Sequence, residues 1–162
     1  MPSNIFALDE ILKLAIEIEN NGREFYINMS ERVSEDELKR ILNFLASEEE
    51  KHKKVFEDIL KNLDTSNIVE SYSGEYQAYL RALADECVFT NDLVKQKASE
   101  GFSSSLELLI FALRIEKDSI ILYTEMKDKV LKKEEELNRV IEEERKHFVM
   151  ISELRNKYKE ER

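Results

Sequence analysis

Hydrophobic residues recur along this chain at alternating spacings of three and four, the repeat of one helix face, in four separate blocks. The first block, from about Leu8 to Arg32, carries Leu12, Ala15, Gly22, Tyr26 and Met29 on its stripe. The second runs to about Leu63 with Leu38, Leu42, Leu45, Phe56 and Ile59. The third starts near Ser104 and aligns Leu109, Ala112, Ser119, Tyr123 and Met126. The fourth follows a short connection near Lys129–Lys133 and aligns Leu137, Val140, Ile151, Leu154 and Tyr158. Ser34 with Glu37, and Ser104 with Glu107, have capping-box spacing, in which a hydroxyl accepts a bond from a free backbone N–H at a helix start.

The second and third blocks are separated by residues 64–103. That segment opens on a loop signal, Asp64-Thr65-Ser66-Asn67. Its middle, Glu75 to Phe89, predicts a shorter helix with Tyr76, Tyr79, Leu80 and Leu83 on one side. A helix of 26 residues is about 40 Å long at 1.5 Å per residue, and the segment is ample to return along that length. The pattern therefore predicts an all-α four-helix bundle in one domain over residues 1–162. Hairpin 1 covers about 8–63, a long crossover 64–103, and hairpin 2 about 104–160.

The two hairpins repeat one another. Ala15-Ile-Glu-Ile-Glu19 with Tyr26 and Met29 matches Ala112-Leu-Arg-Ile-Glu116 with Tyr123 and Met126 at a constant offset of 97. Glu48-Glu49, Lys51 and His52 match Glu143-Glu144, Lys146 and His147 at an offset of 95.

Composition agrees with long helices and narrows the function classes. With 3 Gly and 1 Pro in 162 residues, an all-β fold lacks the turn residues it needs. A formal net charge of −10 disfavours nucleic acid, since phosphate binding needs clustered Lys and Arg. Apolar runs such as Leu108 to Leu113 are far too short to span a bilayer, so no membrane is expected. The N-terminus has no basic region leading into an apolar run, so no signal peptide is expected either. Cys87 is the lone cysteine, which excludes an internal disulfide framework or a four-cysteine metal site within one chain. It reads as a buried structural thiol, and a cytoplasmic setting is the expectation.

Charged and polar residues interrupt the apolar stripes at a few telling places. Position 19 of the first stripe is Glu, positions 49 and 52 of the second are Glu and His, position 116 of the third is Glu, and positions 144 and 147 of the fourth are Glu and His. Each helix thus aims one carboxylate inward, and two helices add a histidine one turn later. Glu19 and Glu49 each lie fifteen residues from Ser34, and Glu116 and Glu144 each fourteen from Val130, so folding each hairpin brings its pair to one level. An unpartnered buried carboxylate costs several kcal/mol, and four together also repel. Two divalent cations neutralise four carboxylates, which makes Glu19, Glu49, His52, Glu116, Glu144 and His147 the predicted ligands of a two-metal centre. A Glu from each of two helices with Glu-x-x-His from the other two is the ligand set of ferritin-like di-iron and di-manganese proteins. A bundle whose stripe carboxylates merely face solvent at a frayed seam is the alternative.

On these residues, together with Gly22, Phe25-Tyr26 and Tyr79-Leu-Arg-Ala-Leu-Ala-Asp85, the chain resembles the rubrerythrin branch of the ferritin-like superfamily over nearly its whole length. The resemblance implies a di-iron centre of two Fe ions, with manganese suiting the same ligands. Glu49 and Glu144 would bridge the metals. Glu19 with His52, and Glu116 with His147, would be terminal ligands. Three features depart from rubrerythrin. With one cysteine before its end at Arg162, the chain holds no four-cysteine rubredoxin domain, so electrons are expected from an external donor, such as a separate rubredoxin-type protein. Ser119 stands where rubrerythrins place a second third-helix carboxylate, and the crossover is longer. The place of bacterioferritin's haem methionine is Glu50, so no haem is expected.

The function expected from this resemblance is a di-iron oxidoreductase acting on peroxide or oxygen, in iron handling or oxidative-stress defence, assembled as a homo-oligomer and preferably a dimer. Iron storage without turnover, oxygenation of an organic substrate and a metal-free regulatory bundle are the competing classes. Tyr26 and Tyr123, seven residues after Glu19 and Glu116, face the same seam. They read equally as hydrogen-bond partners of a ligand carboxylate and as ordinary core residues.

Overall fold

The structure is a computed structural model describing residues 8–63, 74–87, 92–130 and 132–161. Those residues form six helices and no strand: α1 (Leu8–Arg32), α2 (Asp36–Lys61), α3 (Gly74–Asp85), α4 (Asp92–Glu100), α5 (Ser105–Lys127) and α6 (Glu134–Glu160). The hairpins α1–α2 and α5–α6 pack closely within themselves, and α1 against α5 and α2 against α6 close the bundle. Short helix α4 lies on α1 and α3 on α5. None of the described helices is long and apolar enough to cross a membrane.

The predicted stripes are the buried faces, except that Tyr158 near the end of α6 is only half-buried. Leu12, Ala15, Gly22, Tyr26 and Met29 of α1 are all buried, as are Leu38, Leu42, Leu45, Phe56 and Ile59 of α2. A second apolar row thickens the core, with Ile11, Ile18 and Phe25 on α1 and Leu108, Phe111, Ile115 and Leu122 on α5. Aromatic rings fill the space around the two inward tyrosines. Phe56 tilts against Tyr123 at 4.8 Å between centroids, and Phe25 meets Tyr26 edge-on at 5.6 Å. Such rings bury large apolar areas and fix the rotamers beside them.

Local details differ from the sequence expectation in three places. Ser34 does not cap α2: the N-cap is Glu35, without a side-chain bond, and Ser34 instead donates its hydroxyl and N–H to the Glu35 carboxylate. The Glu35 carboxylate also accepts from Ser105 at 2.6 Å, so a contact between hairpins outcompetes the local cap. At α5 the expected cap forms, with Ser104 accepting from the Glu107 N–H. The crossover carries two short helices, because α4 also forms and buries Val94 against the core. Gly101, at a positive φ of 75°, then turns the chain from α4 toward α5, in a conformation that side chains resist. Finally, Tyr79 is 46% exposed, while Leu80 and Ala84 supply the buried side of α3. The loop signal Asp64-Thr65-Ser66-Asn67, the Tyr76 side chain and the predicted helix end at Phe89 lie outside the described residues.

Candidate metal centre

Each long helix delivers its stripe carboxylate to the same level of the bundle. Glu19 of α1, Glu49 and His52 of α2, Glu116 of α5, and Glu144 and His147 of α6 are brought together, and none exposes more than 3% of its surface. Two quartets of donor atoms gather within 4.8 Å: Glu19, Glu49, His52 and Glu144, and Glu49, Glu116, Glu144 and His147. Glu49 and Glu144 belong to both. The imidazoles stack at 5.7 Å between ring centroids, 26° from parallel, each presenting Nδ1 to the carboxylates.

The distances within the cluster point at shared centres more than at pairings. His52 Nδ1 lies 2.9 Å from Glu144 Oε1 and 3.6 Å from Glu19 Oε2. His147 Nδ1 lies 3.6 Å from Glu144 Oε2 and 3.7 Å from Glu116 Oε2. These approaches fall outside hydrogen-bond geometry, leaving six buried donor atoms without a bond: Glu19 Oε2, His52 Nδ1, Glu116 Oε2, both Glu144 oxygens and His147 Nδ1. Leaving a buried polar atom unpaired costs about 1–3 kcal/mol, more for charged groups. A fold that orphans six such atoms in one place is built for a group that satisfies them together. Hard carboxylates mixed with imidazoles fit divalent first-row metals, and two such ions balance four carboxylates.

The outward atoms of the cluster are anchored. Tyr26 on α1 donates to Glu116 Oε1 on α5, and Tyr123 on α5 donates to Glu19 Oε1 on α1 at 2.5 Å. Each hairpin thus holds the other's carboxylate, leaving Oε2 turned inward. Of the two readings of the tyrosines, this geometry fits the one in which they bond ligand carboxylates. His52 Nε2 pairs at 2.9 Å with Glu143 of α6, so when Nδ1 gives up its proton on metal binding the remaining proton is held on Nε2 and the Nδ1 lone pair faces the cluster.

Protons balance the charge in the absence of metal. Burial, reinforced by neighbouring carboxylates, pushes Glu49 and Glu116 well above the usual carboxylate range. Burial opposes the charged forms of the histidines, but Glu144 and Glu19 outweigh it at His52 and hold it at about 12. At His147 the same contest with Glu116 and Glu144 gives about 9. Glu144 is pulled below its ordinary value despite burial, because Glu116 and both imidazoles face it. Tyr26 and Tyr123 are raised by burial and by the carboxylates they serve, so both remain neutral donors.

The stripe pattern assigns Glu143 no role. Its signal is its place: it directly precedes an inward Glu, so it projects about 100° round the helix toward the neighbouring one. Ser119 is buried on α5, and Cys87 is buried with its thiol pushed up to about 12 by burial, which keeps it protonated.

Comparison with known proteins places the fold and the family. The crystal structure of a Thermotoga maritima protein that carries the description ferritin-like diiron-carboxylate protein superposes with a TM-score of 0.75 at 24% identity, covering 93% of this chain and 95% of that one. At that identity the likeness establishes the fold, which is ferritin-like. No curated protein sequence matches the chain. The Rubrerythrin family profile matches residues 10–103, which span α1, α2 and the crossover with the first of the two Glu-x-x-His motifs. This chain belongs to the rubrerythrin family.

Proposed function

We propose that the chain is a di-iron carboxylate oxidoreductase that reacts with peroxide or oxygen and draws its electrons from an external protein donor. The observation that carries this reading is the pair of buried donor quartets sharing Glu49 and Glu144, with six atoms left unbonded. Glu49 and Glu144, common to both quartets, would help hold both ions, Glu19 with His52 one of them and Glu116 with His147 the other. Two iron ions bound there would supply two electrons, one each, to reduce H₂O₂ to two waters or to begin the reduction of O₂. The protein's part is preorganisation: the tyrosines fix the terminal carboxylates, and the surrounding apolar side chains keep water from competing for the donors. Manganese suits the same donors, so identity of the metal is part of the test.

The decisive experiment is anaerobic reconstitution with Fe(II), followed by stopped-flow mixing with O₂ and H₂O₂ in parallel. Reoxidation by either oxidant well above the rate of a Glu49→Ala control supports the proposal. Equal rates with both oxidants in protein and control remove it.

One observation favours a second reading. Ser119 occupies the place of the extra carboxylate that rubrerythrins use, which removes a ligand able to follow a change of iron charge. Iron binding or storage without turnover answers to that. A 24-subunit particle in sizing with slow reoxidation favours storage, whereas a homodimer with rapid turnover favours the enzyme.

A further inference from the structure

The two halves of the metal centre repeat in sequence but not in their outer bonds. At the offset of 95 residues, Glu48, Lys51 and His52 correspond to Glu143, Lys146 and His147. Symmetry would give each imidazole an Nε2 bond to the acidic residue of the other helix. His52 has it, with Glu143 at 2.9 Å. His147 lacks it: Glu48 is drawn instead to Lys51 on its own helix at 2.5 Å, and sits with Glu143 on the His52 side. Among the described residues no hydrogen bond reaches His147 Nε2. Its ring stands edge-on to Phe44, 5.9 Å between centroids at 90°, and the position corresponding to Phe44 in the other half is Arg139. The sequence difference at this pair of positions accompanies the broken symmetry.

A carboxylate on the far nitrogen of a ligating imidazole fixes the tautomer, orients the ring and strengthens the metal bond, and losing such a partner typically costs 10–100-fold in metal affinity. We propose that the two metal positions are unequal: the position on Glu19 and His52 fills first and holds its ion, while the position on Glu116 and His147 binds more weakly and exchanges. Glu143 is the positioning residue that creates the difference. This rests on the metal-centre reading above and adds an order of filling to it.

The test uses Co(II), which reports binding through its absorption without redox turnover, in titrations of the full chain followed also by calorimetry. The expected result is two steps separated by about 10–100-fold. Glu143→Ala should weaken the tighter step by about that factor and merge the two. Glu143→Gln, which keeps an acceptor for the Nε2 proton, should recover part of the loss. His147→Ala should remove the weaker step and leave the tighter one. The Glu143 side chain is 43% exposed, so its variants should fold, and helical circular dichroism checks that they do. Two equal ions in one step, or a separation that survives Glu143→Ala, would overturn the proposal and leave the metal centre standing. Failure to bind any Co(II), Mn(II) or Fe(II) would overturn both.

Discussion

Tyr123 on α5 donates its hydroxyl proton to Glu19 on α1, and this bond is answered across the bundle by Tyr26 on α1 donating to Glu116 on α5. The two bonds run in opposite directions between the same two helices. They couple the hairpins at the level of the donor cluster, where like-charged carboxylates would otherwise push them apart. Each carboxylate keeps one oxygen bonded outward and one turned in.

Replacing either tyrosine by phenylalanine removes a donor and leaves a buried carboxylate oxygen unpaired. Tyr123→Phe and Tyr26→Phe should each destabilise the metal-free protein by about 1–3 kcal/mol, read from chemical denaturation. The double variant should lose less than the sum, because both bonds end in one interacting cluster. Additive losses would show the two bonds to be energetically separate.

Glu49 and Glu144 stand in both donor quartets, so removing either one damages both positions. Glu49→Ala and Glu144→Ala should abolish stoichiometric metal uptake, measured by elemental analysis after anaerobic loading and desalting. Glu116→Ala, which touches one quartet, should retain about one ion per chain. Two ions per chain in both Glu49→Ala and Glu144→Ala would sink the assignment.

Phe56 is fully buried and tilts against Tyr123, so it supports the fold and aims the hydroxyl at Glu19. Phe56→Ala should cost about 3–5 kcal/mol in the metal-free protein. Phe56→Leu should cost less but still loosen the tyrosine, so metal affinity should fall with it. Unchanged affinity in Phe56→Leu would show that the Tyr123 bond holds without its aromatic neighbour.

The reach of the sequence is uneven, for reasons visible in single residues. The stripe through Leu12, Ala15, Glu19, Gly22 and Tyr26 is legible because a helix repeats every 3.6 residues whatever surrounds it. The inward carboxylates are legible for the same reason: a charged residue on an apolar stripe contradicts the pattern. Contacts made between elements are not. Ser34 has the spacing of a cap, yet Glu35 takes its hydroxyl and bonds Ser105 of another helix. Tyr26 can be placed on the seam, but only packing decides that it serves Glu116 of the other hairpin. Tyr79 and Leu80 fit one amphipathic face, but the turn of α3 buries Leu80 and leaves Tyr79 half exposed. That Glu143 bonds His52 while Glu48 turns to Lys51 and not to His147 depends on rotamers that no spacing encodes.

The charge balance of the cluster makes stability depend on pH differently with and without metal. In the metal-free protein His147 is raised from its ordinary 6.5 to about 9, and His52 to about 12. A group that holds its proton more tightly when folded stabilises the fold below its unfolded value, and that contribution is lost as pH rises through the folded value. Glu49 and Glu116, also raised, act in the same direction from their ordinary 4.5 upward. Glu144 is lowered and acts oppositely, but its contribution is lost only as pH falls below its ordinary 4.5. The metal-free melting temperature should therefore fall between about pH 6.5 and 9. Metal binding displaces the protons of Glu49, Glu116, His52 and His147, so it strengthens over that window and should release up to four protons per chain. Melting curves with and without Mn(II) should diverge as pH rises, and calorimetry in buffers of different ionisation enthalpy should register the release. Parallel curves, or uptake without proton release, would mean that the metal-free cluster is not held neutral by these four groups.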